Sequence, residues 1–441
     1  MCTTIVVGKN RSATGSVLVA HSEELGRNSA HRVAVCPRRR VATGEQYPLY
    51  SGGSLPQPAE LPRYIATKIF DKHHYPGEHT AGVNEYGVTV ANNMALMRGI
   101  PEARAYDVVP GGVIWTEFVQ LVLERATCAR EGAALIGELC SRHGLSCDSG
   151  TMLAVADYDD AWWVELARGG QWVARRVAPD DISMRANCYR IATVDFNDHD
   201  NFLYPATLVD YARKQGWYTD GPFDFAAIYG DPANQADAYN CDRHAVLENR
   251  YASLGKVGVP DLMRFMRDIF EGTRQFKAGQ DGSPFRTGVR TIARMNTEAS
   301  AIVELRRNLS PSIGNRMWCG MSTSLTSVYI PFHLGISAIE PHFAFASGSY
   351  DPASAYWLFT ELAKLADYRY SKCIEMITST WQKFEAETWS ALPAIEAEAA
   401  ALEPSATSAL LTEYDHQRAA AAICQLQQLL AEVKTKVFYE A

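Results

Sequence analysis

The chain opens Met1-Cys2-Thr3-Thr4-Ile5-Val6-Val7-Gly8. Residues 3–7 are β-branched throughout, and such side chains pack well on a pleated surface, so this run predicts a buried strand. KNRSATG at 9–15 is turn-rich, and GSVLVA at 15–20 is a second apolar run. The two runs predict a hairpin. Holding a terminus in a sheet stops it fraying. Cys2 then stands at the open end of the hairpin, beside His21-Ser22-Glu23-Glu24.

Cys2 has a small side chain, the kind after which an aminopeptidase readily removes Met1. The expected product carries a free α-amine beside its own thiol. An α-amine has a pKa of roughly 7.7–8, so at pH 7 part of it is neutral and can take the thiol proton. A nucleophile with an adjacent base is the core of acyl-transfer catalysis.

Further along, GVNEYGVTVANN occupies 82–93, DYDDAWWVEL 157–166 and QWVARRVAPDDISMRANCYRI 171–191. The segment 290–336 begins RTIARMNTEAS, and 354–385 begins SAYWLFTELAK. Together with the opening hairpin, these stretches resemble, in order, the dipeptidase-A-type cysteine peptidases. That family belongs to the N-terminal-nucleophile hydrolases, with penicillin V acylase, bile salt hydrolase and the secernins as relatives. The resemblance implies an α+β fold, a four-layer αββα sandwich, with a helical C-terminal region. The expected division is a catalytic domain over 1–350 and a helical extension over 351–441 packed on it.

Composition is that of an ordinary globular enzyme: 441 residues, 47% hydrophobic, 21% charged. The net charge of −8 argues against nucleic-acid or anionic-membrane partners. The Arg38-Arg39-Arg40 triplet follows Pro37 and reads as a solvated loop. A membrane span needs about 18 or more consecutive apolar residues, and the chain has no such run. Ten scattered cysteines without a Cys-x-x-Cys pair, and no signal-peptide pattern, predict reduced thiols and a cytoplasmic protein.

Residues 111–144 read as two amphipathic helices, the second ending near Gly144. TMLAVAD, AWWVEL and QWVARRV read as strands. Residues 353–390 and 405–438 read as helices. In the last, Ile423, Leu426, Leu430, Val433 and Val437 form an apolar stripe. The stripe either packs on its own domain or forms a subunit contact, and a homo-oligomer is expected.

The resemblance assigns further site residues. His21 and Glu24 stand where the family has the Arg and Asp of an Arg-Asn-x-Asp pattern. Glu24 is expected to orient the Cys2 ammonium, and His21 could replace the Arg only when protonated. The alternatives are a loop acid and a structural histidine. Asn187 aligns with the family asparagine whose amide donates to the tetrahedral oxyanion. Asn93, or Asn92, stands where the family places a second donor. Arg243 in YNCDRH resembles the family arginine near the nucleophile. Asn84 and Glu85 read as structural. His73, His74 and His79 cluster in what reads as a loop, and neither a metal nor a cofactor is expected.

The function implied is a cysteine dipeptidase acting through a Cys2 thioester, on a dipeptide or an N-acyl amino acid. An N-acyl amide acylase or acyltransferase keeps the nucleophile and changes the substrate. A non-catalytic scaffold is the third reading.

Overall fold

A computed structural model describes residues 2–25, 29–70, 78–100, 111–147 and 149–439. The opening hairpin forms as its β-branched run dictates: strand β1, Thr3–Val7, pairs antiparallel with β2, Leu18–Glu23, and Thr4 faces His21. β1 and β2 lie inside a six-stranded sheet. Ile182–Arg185 pairs with β1 on one side; Ala299–Glu304, Arg316–Met321 and Ile330–His333 follow β2 on the other. The second sheet has eight antiparallel strands. Its centre comprises Ala161–Ala167, Gly150–Ala156, Thr89–Ala95 and His79–Asn84.

Strand period two gives each sheet an inner and an outer face. Val6, Val19 and Ala301 of one sheet share a buried cluster with Ala91, Met152 and Ala154 of the other. On the outer face of the eight-stranded sheet, Leu153, Val155 and Val164 pack against helices α1, Trp115–Arg125, and α2, Ala129–His143. The outer face of the six-stranded sheet, with Ile5, Val7 and Leu18, packs on the Val259–Met266 helix and on Leu392. The layers are therefore αββα, the expected fold. α2 ends at Gly144, whose φ of 76° suits glycine.

The C-terminal helices run Ala355–Tyr368, Tyr370–Ala400 and Pro404–Phe438. Ile423, Leu426, Leu430 and Val433 are buried in the inter-sheet cluster, and Val437 packs against it. The stripe is thus covered by its own chain, which removes the subunit contact that it also suggested. A buried ionic network fastens these helices to the sheet. Arg316 holds Glu304 and Glu396; Glu396 also binds Arg306 at 2.6 Å; His333 Nδ1 lies 2.9 Å from Asp415.

Asn84 is structural: its amide donates to the carbonyls of Leu123 and Ala126, closing α1. Arg39 and Arg40 form a short exposed strand, and Arg38 is paired with Glu60 and Glu85. His79 is not in a loop. It begins a strand, is buried and meets the Tyr64 hydroxyl at 3.1 Å. His73 and His74 lie outside the described residues.

Candidate active site

Parity on β1 and β2 sorts the site into two faces. Cys2 and Thr4 point to the same side as His21 and Glu23, toward the second sheet. Thr3, Ser22 and Glu24 point the other way. The Cys2 thiol donates to Glu23 Oε1 at 3.1 Å. Glu23 Oε2 lies 3.2 Å from His21 Nε2, and His21 Nδ1 lies 2.7 Å from Thr4 Oγ1. Cys2, His21 and Glu23 are each no more than 2% exposed.

Proton positions follow from counting donors. Asn93 Nδ2 lies 3.0 Å from the carbonyls of both Arg185 and Ala186, which can only accept. The amide nitrogen is therefore committed there, and Asn93 Oδ1 faces Thr4 and accepts its hydroxyl proton. Thr4 in turn accepts from His21 Nδ1–H. His21 Nε2 then meets the carboxylate with a shared proton between them. Burial alone would raise Glu23, but the His21 contact outweighs it and holds the carboxyl below its ordinary range. Burial, then the Glu23 charge, push the Cys2 thiol well up.

The expected roles divide accordingly. Glu24 accepts from Ser22 Oγ at 3.2 Å and from Arg294 at 3.3 Å. The acid on the thiol is Glu23, one residue earlier, because alternation puts odd residues of β2 on the Cys2 face. Asn93 belongs to the cluster, but both of its amide hydrogens are used on carbonyls. Its side chain is not an oxyanion donor in this arrangement. Asn92 pairs with Leu153, whose side chain faces the helices, so it turns away from the site.

Arg243 is fully buried on the other side of Cys2. Its guanidinium donates to the Cys2 carbonyl, Thr3 Oγ1 and Asn187 Oδ1, each at 2.9 Å. Burial lowers it to about 10, with Glu24 opposing. It thus ties the nucleophile's backbone to Asn187. Asn187 Nδ2 donates one hydrogen to Met94 O at 3.0 Å. An amide nitrogen carries two, and the second has no hydrogen-bond partner among the described residues.

Sequence reasoning put Glu23 near Cys2 without a role, and missed Thr4, Asn240 and Arg294. The alternation of His21-Ser22-Glu23-Glu24 held the signal for Glu23. Asn240, whose Oδ1 accepts from Asn187 N and Arg243, lies on the Ala238–Val246 helix and had no local signal. Glu298 adjoins the cluster. Burial raises it to about 8, opposed by the Ser29 N–H and reinforced by Glu23.

A cavity of about 330 Å³ adjoins the Glu24 and Arg243 side, lined by Tyr239, Arg290, Arg294 and Asn296 among others. Arg290 lies over the Tyr239 ring, 4.7 Å from its centroid. A larger cavity of about 950 Å³, between Trp318, Met263 and Trp389, shares no lining residue with the cluster. Among the described residues, the one group with metal-ligand spacing is Cys2, His21 and Glu23. No described helix is long and apolar enough to cross a membrane.

The chain is 28% identical to a probable dipeptidase of Salmonella dublin over 77% of this chain and 82% of that protein. It is 24% identical to a probable dipeptidase of Latilactobacillus sakei over 99% and 95%. Among solved structures it is similar to the C2A mutant of conjugated bile acid hydrolase from Clostridium perfringens, with TM-score 0.40 and 10% identity, covering 80% of this chain and 100% of that one. The sequence model for Peptidase family C69 matches residues 1–383, and the chain belongs to that family.

Proposed function

We propose that this chain is a dipeptidase whose nucleophile is the Cys2 thiol of the Met1-processed chain. The observation that carries the reading is the buried thiol of residue 2 donating to Glu23 at 3.1 Å, beside the place where processing creates an amine. Glu23 is a poor base for this thiol, because its own affinity for a proton is depressed and the thiol's is raised. The Cys2 α-amine is the better base. It takes the thiol proton, and the thiolate attacks the scissile carbonyl. The second hydrogen of Asn187 Nδ2 donates to the oxyanion. The ammonium returns its proton to the leaving amine, and water hydrolyses the thioester. Glu23, His21 and Arg243 hold the thiol and the backbone in register.

Ten free cysteines support a reducing, cytoplasmic setting. Assembly as a homo-oligomer is the remaining part of the proposal, and light scattering on the purified chain measures it. The function itself is tested with two panels, free dipeptides and N-acyl amino acids, on processed protein with Cys2→Ala as control. Turnover of dipeptides that is absent in Cys2→Ala supports the reading. Turnover confined to N-acyl substrates makes the chain an acylase, and no turnover of either makes it a scaffold.

A further inference from the structure

We propose that the processed N-terminus is also a binding site for a zinc-class divalent ion, held by the Cys2 thiolate and α-amine, His21 Nε2 and a Glu23 carboxylate oxygen. The ion blocks the nucleophile reversibly. The inference rests on Met1 removal, as the dipeptidase reading does.

The ligand atoms of Cys2, His21 and Glu23 all lie within 4.8 Å of one another. Tetrahedral zinc has bonds of about 2.3 Å to sulfur and about 2.0–2.2 Å to nitrogen and oxygen, which sets ligand edges of roughly 3.3–3.5 Å. The contacts within the group are 3.1 Å from Sγ to Oε1 and 3.2 Å from Nε2 to Oε2, one to each oxygen of Glu23. Seating the ion draws the sulfur and the imidazole onto one of these oxygens. The fourth donor is the α-amine of Cys2 itself, which closes a five-membered chelate ring with the thiolate.

The supporting shell is already in place. Thr4 Oγ1 accepts from His21 Nδ1–H at 2.7 Å, and Thr4 is itself fixed by Asn93. That contact leaves Nε2 as the ligating nitrogen, the usual arrangement for a metal-bound histidine. A set of one sulfur, two nitrogens and one oxygen favours zinc-like ions over magnesium or calcium. An arginine at position 21, which the family resemblance expects, could not ligate. Its replacement by His21 makes the site.

Binding is balanced by protons. The thiol loses its proton, the proton shared by His21 and Glu23 leaves, and any ammonium loses one more. No electrons are transferred. Affinity therefore rises with pH.

Cobalt(II) titration of the chelator-stripped, processed chain tests the proposal without reference to turnover. The expected result is one equivalent bound, with a thiolate-to-cobalt charge-transfer band and the visible bands of a tetrahedral site, displaced by zinc. Cys2→Ser is expected to lose the charge-transfer band. Both His21→Arg and the isosteric Glu23→Gln should weaken binding by about tenfold or more. Bands unchanged in Cys2→Ser, or equal affinity in both other variants, would place the metal on other cysteines and overturn the site. So would no binding at millimolar cobalt. Dipeptide turnover in chelator without cobalt binding overturns this inference alone. Cobalt binding by a chain that turns over no dipeptide once the metal is stripped by chelator overturns the dipeptidase reading alone.

Discussion

Glu23 holds two partners at once, the Cys2 thiol on one oxygen and His21 on the other. Its negative charge is, after burial, the main reason the thiol is held protonated. Glu23→Gln removes that charge and keeps the shape. The thiol pKa should fall, so alkylation of Cys2 at pH 7 should become faster, read by mass spectrometry of the labelled peptide. Turnover should move the other way, falling by about 10²-fold in kcat/KM, because the nucleophile is no longer held in its attacking position. A structural defect alone would slow both. Asn187 acts on charge that develops only in the transition state. Asn187→Ala is expected to lower kcat by about 10²–10³-fold while KM changes little. Steady-state kinetics on one dipeptide separates the two constants, and a raised KM with unchanged kcat would reassign Asn187 to substrate binding.

Between elements, the strongest tie joins the Tyr370–Ala400 helix to the sheet through Glu396. Burial would raise this carboxyl, but hydrogen bonds from His333 and Arg306, with the charge of Arg316, bring it down to about 2. A depressed carboxyl contributes stability that is complete above its unfolded value of about 4.5 and is lost as pH falls through about 2. Glu396→Ala leaves the buried Arg316 with Glu304 alone, takes the carboxylate from Arg306, and is expected to cost about 3–5 kcal/mol. Chemical denaturation at pH 7 measures it, and the penalty should shrink toward pH 2. The opening hairpin, α1 and α2 were readable because β-branched runs, helical periodicity and the Gly144 stop are local signals. The pairing of β1 with Ile182–Arg185 joins residues far apart in sequence and has no local signal. The site divides the same way. Cys2 is legible from its place before a strand. The commitment of Asn93 to the Arg185 and Ala186 carbonyls depends on how the two sheets meet.

For the molecule as a whole, the helices after residue 350 complete the core. Leu358, Trp381, Leu426 and Val433 share the cluster that lies between the sheets. Ending the chain at residue 350 would expose that surface, so the shortened protein is expected to be insoluble or to lose cooperative unfolding. Expression and thermal melting of the two lengths decide it; a soluble, cooperative product would make the helices a separate unit. The most direct measurement of the central claim is the intact mass of the fully active chain before and after one-equivalent alkylation. The expected result is a chain lacking Met1, with a single label mapping to Cys2 and activity lost in proportion to labelling. A fully active chain that retains Met1, or loss of activity with the label on another cysteine, would contradict it.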